Sequence, residues 1–482
     1  MNTLKKQPNI LFAIADDASH LGSHMAKFIQ TPATDFVIKE GVLFNNAFTT
    51  NPKCAPSRAS ILTGRHTWQL EEACTHFCVF PNKFPLYPDI LESAGYFVGY
   101  TGKGWAPGDW KRNGLKRNPA GTEFNEKKLT PPNDTKISNC DYAANFEDFL
   151  SQRPVQKPFY FWYGGREPHR PYERDEGLRA GKAMDDVKVP SYLPDDEIVK
   201  RDFLDYANEV EWFDIHLGKM LKKLEAIGEL DNTIVVVTSD NGMPFPRVKG
   251  QMYEFDFKLP LVICWRERAK GGRVVDDIVS FIDFAPTFLE TAGVAIPKEW
   301  PGNSLLDILL SDMDGLVNPK RNRAFMGRER HDMGRENDVG YPVRCIRTPE
   351  YLYIRNFKPE LWPAGNPETG FTNTDSSPTK ALIIKQHTEG NDYYFNLAFG
   401  KRPLEELYNI KEDPECMNNL AQKEEYKELK AELWLELKAE LEKTGDPRIF
   451  GNGDIFDRYE YVGDAKHSWK NYVNGTFEPQ RY

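Results

Sequence analysis

The chain has 482 residues, of which 40% are hydrophobic, 28% are charged and 13% are aromatic. Its formal net charge of -10 argues against a nucleic-acid-binding protein, which needs a basic surface, and leaves the recognition of any anion to a local basic pocket. No stretch approaches the roughly 20 apolar residues of a membrane-spanning helix. We therefore expect a globular protein with no membrane span and more than one structural unit.

The N-terminal segment begins like a secretory signal but does not continue as one. Lys5 and Lys6 precede the apolar run ILFAIA, which is short and ends at Asp16 and Asp17. We therefore expect either an exported protein (periplasmic, extracellular or lysosomal-like) whose signal peptide is absent from this sequence, or a cytoplasmic protein.

Short apolar runs rich in β-branched and aromatic residues predict buried strands at 9–15, 96–102, 158–164, 233–239 and 259–265. A helical pattern of apolar residues follows Asp202 and continues to Leu224. Strands that alternate with helices indicate an α/β fold with a large, mostly parallel sheet that helices cover on both faces. Three of these strands end in polar loop sequences, and the carboxyl ends of strands carry the ligand site in open α/β sheets.

The chain changes character near Tyr341. The segments that follow are, in order, a strand candidate at 351–357, a Gly-, Pro- and Thr-rich loop at 359–379, the segment 402–422 and a charged helix to about Lys443. We therefore expect a catalytic domain at 1–345 and a smaller C-terminal α+β domain at 346–482, with an aromatic, polar and irregular tail from 444.

Seven cysteines are spread over the chain, a density that does not indicate a fold built on disulfides. Cys74 and Cys78 are separated by Thr-His-Phe, and no second cysteine pair at zinc-ribbon spacing accompanies them. We expect one disulfide or two free thiols at this pair rather than a zinc site.

The most unusual segment begins at Cys54, in the sequence CAPSRASILTGR. Pro56 suits the first turn of a helix and Gly64 suits its C-cap, so the spacing predicts a helix from Cys54 to Gly64. Arg58 lies one turn after Cys54 on the same face, where its guanidinium can bind an anion in a fork. The N–H groups and the dipole at the helix N-terminus also attract anions. This segment therefore indicates chemistry on an anion.

Residues with oxygen ligands follow two of the predicted strands. Asp16 and Asp17 come directly after the first strand, and Asp240 and Asn241 come directly after the fourth. Each pair alone is typical of a solvated turn. Together they place three carboxylates and one amide oxygen at one edge of the sheet, a set that favours calcium over zinc.

Basic residues are expected at the same edge. Lys103 ends its own strand, and His169 lies in the loop after the strand at 158–164, where a lone histidine is otherwise an ordinary loop residue. Either Lys249 or Lys258 can fold back over the site. Residues that flank these motifs are candidates for substrate binding, namely Trp105, Lys258, Arg65 and His66.

These residues match the pattern of a known family. CAPSRASILTGR resembles the sulfatase signature Cys-x-Pro-Ser-Arg-x-x-x-Leu-Thr-Gly-Arg, and ELYNIKEDPECMNNLA resembles the family's C-terminal block. The family's other blocks are matched in the expected order by Asp16-Asp17, Thr101-Gly102-Lys103, Pro168-His169 and TSDNG at 238–242. The resemblance covers nearly the whole chain and implies an alkaline-phosphatase-like fold. TSDNGMPFPRVKG and YPVRCIRTPEYLYIRNF resemble, more narrowly, the heparan N-sulfatase (N-sulfoglucosamine sulfohydrolase) branch.

The resemblance also implies a mechanism. A formylglycine-generating enzyme converts Cys54 to formylglycine, an aldehyde held as its gem-diol, and one calcium ion is bound by Asp16, Asp17, the modified Cys54, Asp240 and Asn241. One gem-diol oxygen attacks sulfur to give a covalent sulfate on residue 54, and deprotonation of the second hydroxyl expels sulfate. His169 is expected to donate a proton to the leaving group. The charge of the sulfate ester is neutralised by calcium and three basic side chains, Arg58, Lys103 and Lys249.

Two positions depart from the family's pattern. Trp105 stands where the lysine block commonly has a histidine, so the proton shuttle usually given to that histidine is missing, and we expect the tryptophan to stack on a sugar ring. Lys249 stands where the N-sulfatase branch has an arginine, so the charge is kept and the fork is lost.

The expected substrate is a sulfated saccharide from glycosaminoglycan degradation, with N-sulfoglucosamine at the non-reducing end of a glycan as the first hypothesis. An O-sulfated sugar of another acidic polysaccharide is the nearest alternative. The sequence also leaves open a phosphate or phosphonate monoester hydrolase of the same superfamily, and a glycan-binding homologue with impaired catalysis.

Overall fold

The computed structural model describes residues 7–479, and Lys5 and Lys6 of the signal-like segment lie outside them. The strands are β1 (Asn9–Ala15), β2 (Val42–Phe48), β3 (Cys78–Val79), β4 (Phe97–Gly102), β5 (Gly108–Asp109), β6 (Thr122–Glu123), β7 (Phe159–Gly164), β8 (Thr233–Ser239), β9 (Lys258–Cys264), β10 (Arg273–Ser280), β11 (Ala324–Arg328), β12 (Val343–Arg347), β13 (Tyr351–Asn356) and β14 (Glu405–Asn409). The α-helices are α1 (Pro32–Glu40), α2 (Cys54–Thr63), α3 (Tyr87–Ser93), α4 (Tyr142–Gln152), α5 (Glu176–Arg179), α6 (Glu197–Ala226), α7 (Glu254–Phe257), α8 (Phe284–Thr291), α9 (Leu306–Leu309), α10 (Pro378–Thr388), α11 (Tyr393–Ala398), α12 (Lys427–Lys443), α13 (Ile455–Arg458) and α14 (Trp469–Val473).

Within residues 7–479, eight strands form one large sheet in the order β10-β2-β9-β8-β1-β7-β4-β6. β1 pairs in parallel with both β7 and β8, and β9 runs antiparallel to its neighbours β8 and β2. The sheet is therefore mostly parallel, which confirms the predicted fold class. The carboxyl ends of β1, β4, β7 and β8 consequently meet at one edge of the sheet.

Helices cover both faces of this sheet because alternate residues of each strand point to opposite sides. Leu11 and Ala13 of β1 belong to a buried core that includes side chains of α1, α4 and α6. Ile10 and Phe12 belong to a second core that includes side chains of α2, α3 and α8. Strands buried on both faces read as continuous apolar runs, which is why all five strands predicted from such runs are confirmed.

The helix that carries Cys54 also follows the sequence prediction. α2 begins at Cys54, and Gly64 adopts a left-handed conformation with φ of 62°. The Gly64 N–H donates to the carbonyl oxygen of Ser60 at 2.9 Å, which completes the C-cap. The long helix predicted after Asp202 is α6, and it begins earlier, where the Asp196 side chain accepts a hydrogen bond from the backbone N–H of Ile198.

The strands β2 and β10, at the far side of the sheet, were not predicted. Both contain polar residues in mid-strand, and the register between them shifts at a bulge between Val275 and Ile278. In this bulge, Asn45 Nδ2 donates to Asp276 Oδ1 at 2.8 Å, and Asn46 Nδ2 donates to the backbone carbonyl oxygen of Asp276 at 2.8 Å. A bulge interrupts the alternating pattern, so the sequence lacks the period by which strands are recognised.

A second, antiparallel sheet has the order β11-β12-β13-β14, and α12 packs against it through buried leucines. The predicted division between residues 345 and 346 falls within β12, so this sheet includes strands from both sides of the division. The tail after 444 contains the short helices α13 and α14 between irregular segments.

The cysteines and the lengths of the helices can be compared with the sequence predictions. All seven cysteines are free and buried, so Cys74 and Cys78 are two thiols rather than a disulfide. In the part of the chain that the structure describes, every helix is too short or too polar to cross a lipid bilayer.

Candidate active site at the carboxyl edge of the large sheet

The ends of adjacent strands bring the predicted metal ligands together. Ala15 at the end of β1 pairs with Ser239 at the end of β8, so the residues that follow each strand lie side by side. One side-chain atom from each of four residues lies within 4.8 Å of the other three: Asp16, Asp17, Cys54 and Asp240. All four side chains are buried.

Hydrogen bonds hold this set in place. The backbone N–H of Asp17 donates to Asp240 Oδ1 at 3.1 Å, and Asn241 Nδ2 donates to Asp17 Oδ1 at 2.8 Å. Asn241 Oδ1 is buried and has no hydrogen-bond partner among residues 7–479. A buried oxygen without a partner beside three carboxylates is suited to a hard cation that takes oxygen ligands.

Cys54 is the first residue of α2, and its sulfur lies 3.8 Å from Asp17 Oδ1. Burial raises the pKa of the Cys54 thiol well above its ordinary value, and Lys103 offsets only part of this effect. The unmodified thiol therefore stays protonated near neutral pH and is a poor nucleophile.

Arg58 is buried, and two of its three guanidinium nitrogens donate hydrogen bonds to neighbouring protein groups. Its Nε donates to Asp240 Oδ2 at 2.7 Å, and its Nη1 donates to the carbonyl oxygens of Lys103 and Gly104 at 2.7 and 3.0 Å. Nη2 lies 3.7 Å from Asp16 Oδ1 and has no hydrogen-bond partner in the described chain. The predicted two-pronged contact with a substrate anion is therefore wrong for this geometry, since only Nη2 remains available.

Lys103 lies next to the first metal-ligand candidate. Its Nζ lies 2.8 and 2.6 Å from the two carboxylate oxygens of Asp16. Burial by itself would raise the pKa of Asp16, but Lys103 and His169 outweigh it and lower that pKa to about 2. Gly102 brings the strand end close to β7, because a Cβ there would lie 2.0 Å from the carbonyl oxygen of Gly164.

His169 is held at the edge of the site with one nitrogen free. Its Nδ1 lies 2.6 Å from the carbonyl oxygen of Arg170, so Nδ1 must carry the proton in the neutral ring. Nε2 lies 3.8 Å from Asp17 Oδ2. The imidazole is partly exposed and lines the same cavity as Cys54.

The structure distinguishes the two lysines that the sequence left open. Lys249 Nζ lies 2.6 Å from Asp17 Oδ2 and 2.9 Å from Asp375 Oδ2. Burial would lower the pKa of Lys249, but Asp17 and Asp375 raise it well above its ordinary value. Lys258 lies near Glu254 and lines a separate cavity of about 550 Å³, so its assignment to the site is wrong.

Three other candidates for substrate binding lie in different surroundings. Trp105 is 1% exposed, donates from Nε1 to the carbonyl oxygen of Ala55 at 3.0 Å and packs edge-on against Phe80. It offers no ring face to a sugar, so the expected stacking is wrong. Arg65 pairs with Glu299 at 3.2 Å, and His66 stacks on Trp68. Both follow the C-terminal end of α2, whereas Cys54 lies at its N-terminal end.

The structure adds residues that no motif predicted. Cys54, Lys103, His169 and Lys249 line a cavity of about 450 Å³ together with side chains that we call the cavity wall: Lys53, His76, Asp332, Asp375, Tyr461, Asp464 and His467. These residues come from five separate parts of the chain, and their spacing carries no common signal. Of these residues, Lys53 could have been expected near the site from the sequence, because it directly precedes Cys54.

Charge is balanced within the buried part of the site. Three carboxylates, those of Asp16, Asp17 and Asp240, are each paired with a cation, namely Lys103, Lys249 and Arg58 respectively. A divalent cation added to this balanced set would leave it positive. A positive, water-poor pocket is what a sulfate or phosphate group requires.

Comparison with known proteins agrees with this geometry. The family model named Sulfatase matches residues 8–294, and a model for the C-terminal part of N-sulphoglucosamine sulphohydrolase matches residues 248–362. An ulvan-active sulfatase of Formosa agariphila is 27% identical over 94% of this chain and 78% of its own length. N-sulphoglucosamine sulphohydrolase of Homo sapiens is 27% identical over 92% of this chain and 91% of its own length.

A solved structure supports the fold. It is described as a complex with its substrate D-glucosamine-2-N,6-O-disulfate and superimposes with a TM-score of 0.66 at 22% identity. The match covers 92% of this chain and 99% of that one.

Proposed function

Because the chain belongs to the sulfatase family, we propose that this sulfuric ester hydrolase removes sulfate from a saccharide with an oxygen nucleophile made from Cys54. The observation that carries the proposal is the position of Cys54. It lies at the N-terminus of α2, beside the carboxylates of Asp16 and Asp17, and faces a cavity lined by Lys103 and Lys249.

The nucleophile requires modification of Cys54, because the buried thiol stays protonated. We propose that a formylglycine-generating enzyme acts on the CAPSR segment before or during folding, since Cys54 is buried in the folded chain. The hydrated aldehyde (gem-diol) of formylglycine would supply one hydroxyl that attacks sulfur and breaks the bond from sulfur to the sugar oxygen or nitrogen. Deprotonation of the second hydroxyl would then expel sulfate and regenerate the aldehyde.

The proposed cofactor is one calcium ion held by Asp16, Asp17, Asp240 and Asn241 with the modified residue 54. The donors are oxygen atoms, and Asn241 Oδ1 is free to take part because it has no other partner in the described chain. A calcium ion held by these residues would supply positive charge that offsets the charge of the sulfate group. Lys103 and Lys249 lie beside the same carboxylates and are placed to bind sulfate oxygens that enter the cavity.

His169 is the proposed proton donor to the leaving group. The carbonyl oxygen of Arg170 fixes the proton on Nδ1, so a second proton on Nε2 can pass to the leaving oxygen or nitrogen. Nε2 lies 3.8 Å from Asp17 Oδ2, so it faces the candidate metal ligands.

The proposed substrate is N-sulfoglucosamine at the non-reducing end of a glycan. The C-terminal family model and the human relative support it. The cavity of about 450 Å³ also has the size of a small-molecule site rather than of an open groove. We also propose that the enzyme is exported, as a related extracellular sulfatase of Drosophila melanogaster is.

A second candidate is an O-sulfatase that acts on another acidic polysaccharide. Lys249 lacks the forked guanidinium of the N-sulfatase branch, and the ulvan-active relative matches the chain at the same identity as the human N-sulfatase. The two reactions differ at the atom that leaves sulfur. An amine leaves with less help from a proton donor than an alkoxide needs.

Two measurements test the proposal. Mass spectrometry of the peptide that contains Cys54, from protein made with a formylglycine-generating enzyme, should show the mass of formylglycine. Sulfate release should then be measured on N-sulfoglucosamine and on O-sulfated monosaccharides, and alcohol release from a phosphonate monoester should be measured as a control. Release from the O-sulfated sugars alone would contradict the N-sulfatase assignment. Hydrolysis of the phosphonate ester alone would contradict the proposed function.

A further inference from the structure

His76 belongs to no motif of the proposed reaction, yet it lines the same cavity as Cys54, Lys103 and His169. It is 6% exposed, and its backbone N–H donates to the carbonyl oxygen of Arg330 at 3.1 Å. Its place between Cys74 and Cys78 in the sequence raises the question of a metal site. However, His76 belongs to neither of the two groups of potential metal ligands found among residues 7–479. A metal site therefore does not explain this histidine.

A buried ion pair fixes the orientation of the His76 ring. Its Nδ1 lies 2.9 Å from Asp332 Oδ1, and the other carboxylate oxygen of Asp332 lies 2.9 Å from Lys53 Nζ. A carboxylate can only accept hydrogen bonds, so Nδ1 carries the proton and Nε2 carries the lone pair. Nε2 is buried and has no hydrogen-bond partner in the described part of the chain.

The charge states agree with this orientation. Burial would raise the pKa of Asp332, but Lys53 and His76 lower it well below its ordinary value, so the carboxylate stays ionised. Burial lowers the pKa of His76 to about 4, although Asp332 opposes this shift. At neutral pH the ring is therefore neutral, and its free nitrogen is a hydrogen-bond acceptor.

The other two histidines of the cavity, His169 and His467, are more exposed than His76. Lys53, Lys103 and Lys249 are donors only, and the Asp332 and Asp375 carboxylates already lie within 2.9 Å of lysines. Cations suit the sulfate group, whereas a neutral acceptor suits the hydroxyl or amino group of a sugar. A ligand without such a donor would leave the buried Nε2 unpaired, which costs binding free energy.

We propose that His76 Nε2 accepts a hydrogen bond from a hydroxyl or amino group of the sugar next to the sulfated position, and that Asp332, held by Lys53, is its positioning residue. This inference rests on the proposed function in that the ligand is a sulfated sugar. It makes His76 a determinant of specificity for sulfated sugars over aryl sulfates, which carry no donor beside the sulfate.

The test compares two ligand classes in His76→Phe, which keeps a ring of similar size. The ratio of kcat/KM on N-acetylglucosamine 6-sulfate or N-sulfoglucosamine to that on 4-nitrophenyl sulfate should fall about tenfold, the worth of one hydrogen bond. Asp332→Asn should lower the same ratio, because an amide that donates to Nδ1 moves the ring proton to Nε2. The matched control is His387→Phe, which breaks a histidine–aspartate pair at the surface and should leave the ratio unchanged.

Binding and NMR separate this inference from the proposed reaction. In a Cys54→Ala background, which cannot turn over, His76→Phe should weaken binding of the two sulfated sugars about tenfold by calorimetry. Heteronuclear NMR of the wild type should show a protonated Nδ1 and an unprotonated Nε2 on His76. A sugar that binds the Cys54→Ala protein but is not hydrolysed by the wild-type, modified enzyme would contradict the proposed function alone. Equal losses on sugar and aryl sulfate, equal binding with and without His76, or a protonated Nε2 would each overturn the inference.

Discussion

The two halves of the site are built in different ways. We call one half the sheet edge, which consists of the strand-end residues Asp16, Asp17, Lys103, Asp240 and Asn241 with Cys54 and Arg58 of α2. Its residues are buried except for Lys103, which is partly buried, and direct hydrogen bonds and ion pairs join them. The cavity wall instead comes from five separate segments, and one of them is the tail that carries Tyr461, Asp464 and His467. The first half is a property of one sheet, whereas the second depends on how the small sheet and the tail pack.

This difference assigns different tasks to the two halves. Hydrogen-bonded strands fix the positions of the residues that follow them. The sheet edge is therefore suited to hold the sulfate group, because the reaction at sulfur requires a fixed geometry. Loops tolerate change, so the cavity wall suits recognition of a particular sugar. We therefore expect substitutions at the sheet edge to affect the reaction on every substrate, and substitutions in the cavity wall to affect some substrates more than others.

The largest expected effect is at Cys54. Cys54→Ala should lower kcat by at least about 10⁴-fold on every sulfated substrate, because it removes the precursor of the nucleophile. Cys264→Ala is the matched control, since Cys264 is also a buried free cysteine but lies on β9. Circular dichroism and the melting temperature should be close to wild type in both variants. Activity of Cys54→Ala comparable to that of the control would refute the role of Cys54.

The next effect concerns the metal. Calcium should raise the melting temperature of the wild type by several degrees, since a ligand that binds only the folded state stabilises it. Asp17→Asn should abolish this rise and lower kcat/KM by about 100-fold, because a ligand of the cation is lost. Asp231→Asn is the control, because Asp231 is a surface carboxylate just before β8 and so lies at the opposite edge of the sheet. An undiminished response to calcium in Asp17→Asn would place the cation elsewhere.

A smaller effect is expected in the cavity wall at Asp375. Asp375→Asn leaves Lys249 with Asp17 as its carboxylate partner at 2.6 Å, so the ammonium is held more firmly on that side. We expect kcat/KM to fall by about tenfold, the size of one charged hydrogen bond. Asp464→Asn provides the comparison, because Asp464 lines the same cavity but pairs with the exposed Lys466. Equal effects of the two substitutions on kcat/KM would show that Asp375 has no specific role in the reaction.

The smallest effect is on the pH dependence of stability. The pKa of His76 is lowered from 6.5 to about 4 by burial, so between these values the unfolded chain binds a proton that the folded chain does not. The free energy of unfolding should therefore fall as the pH falls through this window, by about 1.4 kcal/mol per pH unit for this group. Urea titrations at pH 4, 5 and 6.5 should show a shallower slope for His76→Phe. A slope equal to that of the wild type would mean that His76 is protonated in the folded protein.

Part of the site was accessible to sequence reasoning because its residues stand at fixed positions relative to strong patterns. Asp16 and Asp240 follow continuous apolar strands, and Cys54 opens a helix with a clear C-cap. Adjacency along the chain was a poor guide elsewhere. Arg65 ends the signature and His66 follows it, but α2 separates both from Cys54 by about 15 Å at 1.5 Å per residue.

The sequence by itself determined the parallel sheet, the edge at which its strands end and the chemistry of the residues placed there. It determined them because apolar periodicity and strand ends are local properties. Only the tertiary structure decided that Trp105 is buried beneath the site, that Lys249 rather than Lys258 reaches Asp17, and that Asp332 orients His76. These outcomes depend on contacts between segments that are far apart in the chain, and no local pattern encodes which of them will meet.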